Sequence, residues 1–267
     1  MTPVFLLAQW PRLGRRFALA VLLLGVWFGQ SAQAFDHTHR RYARTLTRFV
    51  GSGRVNYVGL RAEPGELRAY LDDLALVTRT EFDGWTRAEQ LALLLNLYNA
   101  ATLQLVSDHY PVSSVRKIGG LFQSPWKLPV IRLWGQTYTL DWLEHEFIRT
   151  RYQEPRIHFA LVCAAKGCPP LRDEPYVAVR LEAQLDDQGR TFMAQRECNR
   201  FDGSKRTLYL SPLFKWYRDD FTASGKPLEQ VVRPFCSASD ARSMAESKVR
   251  IVFTTYDWSL NEARPTP

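Results

Sequence analysis

The alternation of apolar and polar positions along the chain changes period several times. The clearest segment is the run 91–106, apolar on nearly every side and preceded by Thr86-Arg87-Ala88-Glu89. Thr-x-x-Glu is a capping box, so a helix begins there, and a helix apolar all round belongs in the core. It ends near Ser107, ahead of Pro111. Before it, residues 51–60 read as turn and short strand, and 63–76 as an acidic helix. After it, Ile131 and Leu133 precede Gly135 and Tyr138 follows, a hairpin pattern. Thr139 can cap a helix reaching about Tyr152, with Leu140, Leu143 and Phe147 as its apolar stripe. Residues 157–162 form a short apolar run read as a strand, 181–195 a helix, and 208–210 a strand. Ser211-Pro212 starts another helix, and 249–254 is a final β-rich strand. Helices therefore gather early and antiparallel strands late, which predicts an α+β fold rather than alternating α/β.

The N-terminus follows another pattern. Arg12, Arg15 and Arg16 form a basic region, 17–28 an apolar run, and Ala32-Gln33-Ala34 places small residues where a signal peptidase reads. This predicts a cleavable export signal over 1–34, a single globular domain over 35–267, and a periplasmic or secreted location. His37 and His39 would fall in a flexible new N-terminus. The apolar run is short of the ~20 residues that a spanning helix needs, so no stable membrane insertion is expected after cleavage.

The formal charge of +8 changes the picture little. Part of it sits in the leader, and the remainder is scattered rather than gathered into the patch that nucleic-acid binding requires. The four cysteines, Cys163, Cys168, Cys198 and Cys236, matter more. An even count in an oxidising compartment favours disulfides, with three possible pairings.

Three features are candidates for chemistry. Asn96 and Asn99 share one face of the core helix at i, i+3. Buried amides need partners, so they either tie the helix to neighbouring backbone or orient a catalytic histidine. Glu144-His145-Glu146 follows Thr139, and on a regular helix His145 lies off the apolar stripe beside Trp142 and Arg149, facing either solvent or a cleft. Third, 157–162 delivers Cys163 to its own end, and Ala164 to Gly167 then allow close backbone approach, a setting for a nucleophile with amide donors for an oxyanion. The alternatives there are a Cys163–Cys168 disulfide or a metal site using His145, His158 and a cysteine. Residues available for binding around this segment are Trp142, His158, Lys166 and Cys168. No phosphate loop, serine elbow or His-Glu-x-x-His occurs, and no cofactor or resident metal is expected.

The segments 95–100, 143–145 and 158–170, with Arg54-Val55-Asn56-Tyr57 and 256–261, resemble the domain-of-unknown-function family 547 over about residues 50–261. The resemblance implies a fold comparable with papain-like and transglutaminase-like thiol hydrolases. It places weight on Cys163 as nucleophile, His145 as base, and Glu144, Asn96 or Asn99 as orienting groups. It also implies that Cys168 tunes or protects the thiol, and that Cys198 and Cys236, outside the family's motifs, pair with each other. With His before Cys in the chain, a papain-like site would be circularly permuted. The expected reaction is hydrolysis or acyl transfer on an amide or thioester of a small-molecule or peptide substrate. The rival expectation is a non-catalytic ligand- or protein-binding module of the cell envelope.

Overall fold

A computed structural model describes residues 34–120, 123–246 and 248–263, so the segment expected to be an export signal, except for Ala34, lies outside the described residues. The chain runs through α1 (Arg40–Phe49), β1 (Val50–Gly51), β2 (Arg54–Val55), α2 (Tyr57–Ala62), α3 (Gly65–Leu76), α4 (Arg79–Gly84) and α5 (Arg87–His109). A hairpin of β3 (Ile131–Leu133) and β4 (Gln136–Tyr138) follows. Next come a π-helix (Trp142–Ile148) that continues into α6 (Arg149–Tyr152), and the short α7 (Ile157–Ala160). The last third holds α8 (Leu181–Met193), β5 (Arg200–Asp202), β6 (Thr207–Leu210), α9 (Leu213–Trp216), α10 (Arg218–Thr222), α11 (Leu228–Val232), α12 (Ala238–Ala245) and β7 (Arg250–Phe253). This is an α+β fold with its three-stranded sheet at the C-terminal end. No helix of the described residues is long and apolar enough to cross a membrane.

The core is built on α5. Its capping box forms, with Glu89 N–H donating to Thr86 Oγ1 and Thr86 N–H to the Glu89 carboxylate. Almost the whole helix is buried, and α2, α3, β3 and the π-helix pack around it. A second apolar cluster of Phe159, Phe192, Leu208, Phe214 and Phe221 fills the space beneath the C-terminal sheet. Ile157 and Ala160 belong to the first cluster and Phe159 to the second, so α7 lies between the two. That position explains its uninterrupted apolar sequence. It also corrects the strand expected over 157–162, because a short run apolar on all sides does not distinguish a buried strand from one buried helical turn.

Other differences are local. In the hairpin, Trp134 and Gly135 both have positive φ, as a tight antiparallel turn with right-handed twist requires. In the C-terminal sheet β5 pairs antiparallel with β6, but β7 runs parallel to β6, so the expected antiparallel order fails at the last strand. His37 and His39 do not lie in a flexible arm. Phe35 and His37 pack on Trp85, and His39 is buried with Nδ1 2.8 Å from the Tyr70 hydroxyl.

Burial, reinforced by the charge of His37, holds His39 down to about 4 from an ordinary 6.5. Because the folded-state value is depressed, the stabilisation is fully present above pH 6.5 and is lost as pH falls through 4. Denaturant unfolding should lose about 1 kcal/mol per pH unit across that window. The change from pH 7 to pH 4.5 should shrink by about 2 kcal/mol in His39→Gln. An unchanged pH dependence in that variant would contradict the assignment.

Candidate functional site

The segment that carries Cys163 is positioned from α5. Asn99 Nδ2 donates to the Ala160 carbonyl and its Oδ1 accepts from Val162 N–H, both at 2.9 Å. Asn96, one turn earlier, does the same at Tyr176, donating to its carbonyl (2.8 Å) and accepting from its N–H (2.9 Å). Each carboxamide thus pairs with backbone as a neighbouring strand would, and both side chains are buried. Their hydrogen bonds go to backbone rather than to an imidazole, which corrects the orienting role expected for Asn96 and Asn99. Beyond Cys168, Gln188 holds the Pro170 carbonyl, and Gln184 holds the Pro175 carbonyl and Val177 N–H.

After Cys163 the backbone turns through Ala164, at φ +63°, and docks on the C-terminal segment. Lys166 N–H donates to Ser259 O, Gly167 N–H to Asp257 O, and Asn261 N–H to Ala164 O. A Cβ at Gly167 would stand 3.0 Å from both Asp257 N and the Tyr256 ring, so any side chain there would press on the C-terminal segment. The Lys166 and Gly167 amides are therefore occupied, and the oxyanion donors expected over 164–167 cannot be these two.

Cys163 is disulfide-bonded to Cys168, with Cα atoms 6.3 Å apart. The Tyr256 hydroxyl lies 3.2 Å from Cys163 Sγ and 3.1 Å from Cys168 Sγ. Cys198 and Cys236 are both unpaired, which corrects the disulfide expected between them. Burial pushes both thiols up, Cys236 to about 11.

The disulfide opens on a cavity of about 210 Å³ that Glu144, His145, His158, Tyr217 and Tyr256 also line. Thr139 Oγ1 caps the helix entering it by accepting from Trp142 N–H. Within the π-helix, Arg149 N–H bonds back to Glu144 O, one residue farther than in an α-helix. The extra residue per turn buries Glu144, which accepts from the Tyr217 hydroxyl at 2.6 Å. Such π-turns are frequent at functional sites.

The two cavity histidines are wired together. Arg149 grips Asp220 through two bonds of 2.7 and 2.8 Å, and its Nη1 lies 3.0 Å from His145 Nδ1. Arginine has only donors, so Nδ1 of His145 accepts and the neutral ring carries its proton on Nε2, 3.6 Å from Asp141. His158 Nε2 lies 2.7 Å from Asp220 Oδ2, and the ring stacks on Tyr217 with centroids 3.7 Å apart. Bonds from His158 and Arg149 hold Asp220 well below the usual carboxylate range, so it accepts and His158 Nε2 donates. Burial lowers the pKa of His158, against the pull of Asp220, and its basic atom is then Nδ1. Of the two imidazoles, only His158 has a carboxylate at hydrogen-bond distance. Both imidazoles line the cavity with Cys163.

Two expected binding residues lie elsewhere. Trp142 stacks on Tyr138 at 3.8 Å and packs against Phe147, and Lys166 is exposed outside the cavity. Among the described residues no three His, Cys, Asp or Glu side chains form a metal-ligand group, so His145, His158 and a cysteine do not assemble one.

Residues 82–193 match the model of the family described as "Protein of unknown function, DUF547". This segment belongs to the DUF547 family. It contains Asn96, Asn99, Glu144, His145, His158 and both paired cysteines. Tyr217, Asp220 and Tyr256 come from beyond it. The match is narrower than the span of 50–261 read from motifs, although the two outlying motifs do meet, with Tyr57 donating to Asn261 Oδ1 at 2.8 Å and Val55 N–H to Asn261 O at 3.0 Å. No curated protein and no solved structure matches the chain.

Asn99→Ala would strip partners from two buried backbone groups, and the predicted loss in denaturant unfolding is about 2–4 kcal/mol. A loss below about 1 kcal/mol would contradict the bridging role.

Proposed function

We propose that this chain is an exported thiol-dependent hydrolase or acyltransferase acting on an amide or thioester. Cys163 is its nucleophile, His158 its general base and Asp220 the group that orients His158. The observation that carries the reading is the shared cavity, into which α5, α7, α10 and the C-terminal segment bring a cysteine, a carboxylate-bonded neutral imidazole and a tyrosine hydroxyl. Nucleophile, base and orienter are the minimum set for covalent acyl transfer. The leader pattern over 1–34 supports action outside the cytoplasm.

In this reading the disulfide is the resting form. A dithiol reductant supplies two electrons and two protons, becomes oxidised to its own disulfide, and releases Cys163 and Cys168 as thiols. His158 Nδ1 then takes the Cys163 proton, and the thiolate sulfur bonds to the substrate carbonyl carbon. The Tyr256 hydroxyl, beside the sulfur, donates to the oxyanion. Collapse breaks the C–N or C–S bond to the leaving group, which receives the proton from His158. Water or an acceptor nucleophile gives a proton to His158 and attacks the thioester. The acyl–sulfur bond breaks, and Cys163 regains its proton.

Reduced protein mixed with p-nitrophenyl acetate should acquire one acetyl group on Cys163, located by peptide mass spectrometry. Oxidised protein and Cys163→Ala should acquire none there, and Cys168→Ala should react without reductant. Acetylation of reduced protein at other sites alone would leave the cavity as a binding pocket and overturn the reading. His158→Gln and Asp220→Asn should slow acylation by about 10²-fold or more. Since burial lowers the pKa of His158, the acid limb of the rate should lie below the ordinary imidazole value. A limb at or above that value would exclude His158 as the base.

A further inference from the structure

The cavity has a second character beyond the groups placed in acyl transfer. Part of its lining is aromatic, with Trp126, Trp216 and Trp258 beside Tyr256. Trp258 is the hub, with ring centroids 4.5 Å from Tyr256, 5.8 Å from Trp216 and 6.0 Å from Trp126. Trp216 is half exposed, so its ring is accessible from solvent. The charged residues lining the cavity, apart from the histidines, are Asp141 and Glu144, and none is Lys or Arg. The nearby guanidinium of Arg149 is already committed to Asp220.

Aromatic faces carry negative potential, and the two acids in the same lining add to it. The surface already accepts cations, since Arg116 lies over the Trp258 ring at 5.1 Å and Arg149 over Tyr217 at 5.3 Å. A cavity of about 210 Å³ is small against the ~300–1,000 Å³ of drug-sized pockets, so it holds one side chain or a short chain segment. From this combination we infer that the site takes a substrate bearing a cationic group, an ammonium or guanidinium, near the bond to be cleaved. The cation rests on the tryptophans, with Asp141 and Glu144 in the same cavity lining. The inference rests on the acyl-transfer reading for what happens next, but not for the binding itself.

Three soluble probes of similar size separate the possibilities. They are Nα-acetyl-lysine-N-methylamide, its norleucine counterpart with the same alkyl chain and no charge, and its glutamate counterpart of opposite charge. Binding to the full chain with its disulfide intact can be followed by calorimetry and by tryptophan fluorescence. The lysine probe should bind at least about tenfold more tightly than the norleucine probe. That preference should shrink several-fold in Asp141→Asn, a substitution at a half-exposed position that leaves the core untouched. Equal or tighter binding of the norleucine or glutamate probe, or no binding of the lysine probe at millimolar concentration, would overturn the inference. Because Cys163 is paired in this assay, the outcome is independent of acylation. Charge selectivity without an acetylated Cys163 refutes the enzyme reading alone, and an acetylated Cys163 without charge selectivity refutes this inference alone.

Discussion

The geometry of the site depends on the carboxamide of Asn99. It bridges Ala160 O and Val162 N–H across the end of α7, and so fixes the direction in which the chain leaves the helix for Cys163. A backbone segment buried between two apolar clusters cannot turn to water for its hydrogen bonds, and each unpaired group would cost about 1–3 kcal/mol. Among the described residues no strand pairs with 160–162. An asparagine on a core helix supplies the missing edge, and Asn96 repeats the device for Tyr176. The price is two amides in an otherwise apolar helix, which is tolerable because donor and acceptor of each are both satisfied.

From that fixed point the polar network runs along the cavity, with its ends, His145 and His158, in the lining. His145, Arg149, Asp220 and His158 form a continuous series of contacts, and Tyr217 adds a branch by stacking on His158 while donating to Glu144. Such a network holds each ring in one tautomer and one orientation. The π-helix makes it possible, because the additional residue places Glu144 inward while Arg149 still reaches Asp220. The C-terminal segment completes the enclosure by bringing Tyr256 to the sulfurs and Trp258 to the rim.

Local signals in the sequence foretold local structure well. The Thr86–Glu89 capping box, the Gly135 hairpin and the Thr139 cap are each written in a few adjacent residues, and each forms as expected. Asn96, Asn99, Glu144, His145, His158, Cys163 and Cys168 also stand out as polar or reactive residues in apolar surroundings, and five of the seven reach the cavity. What could not be read was the partner of each. Asp220 sits beside Asp219 on a short surface helix, with nothing local to distinguish it, and its importance comes from His158, 62 positions earlier in the chain. The burial of Glu144 accompanies a π-turn, which a helical wheel of regular pitch does not contain. The pairing of Cys163 with Cys168 rather than Cys198 with Cys236 depends on a turn through Ala164 that composition cannot foresee.

In the proposed mechanism Asp220, acting through His158, makes Cys163 a reactive thiol once the disulfide is opened. The direct measurement is the ionisation of Cys163 in reduced protein, followed by thiolate absorbance across pH in a Cys168→Ala background, with Asp220→Asn alongside. The account predicts that Cys163 ionises well below the ~8.5 of a free cysteine and that Asp220→Asn moves the transition upward. A Cys163 that titrates at or above ~8.5 and ignores the loss of Asp220 would contradict it.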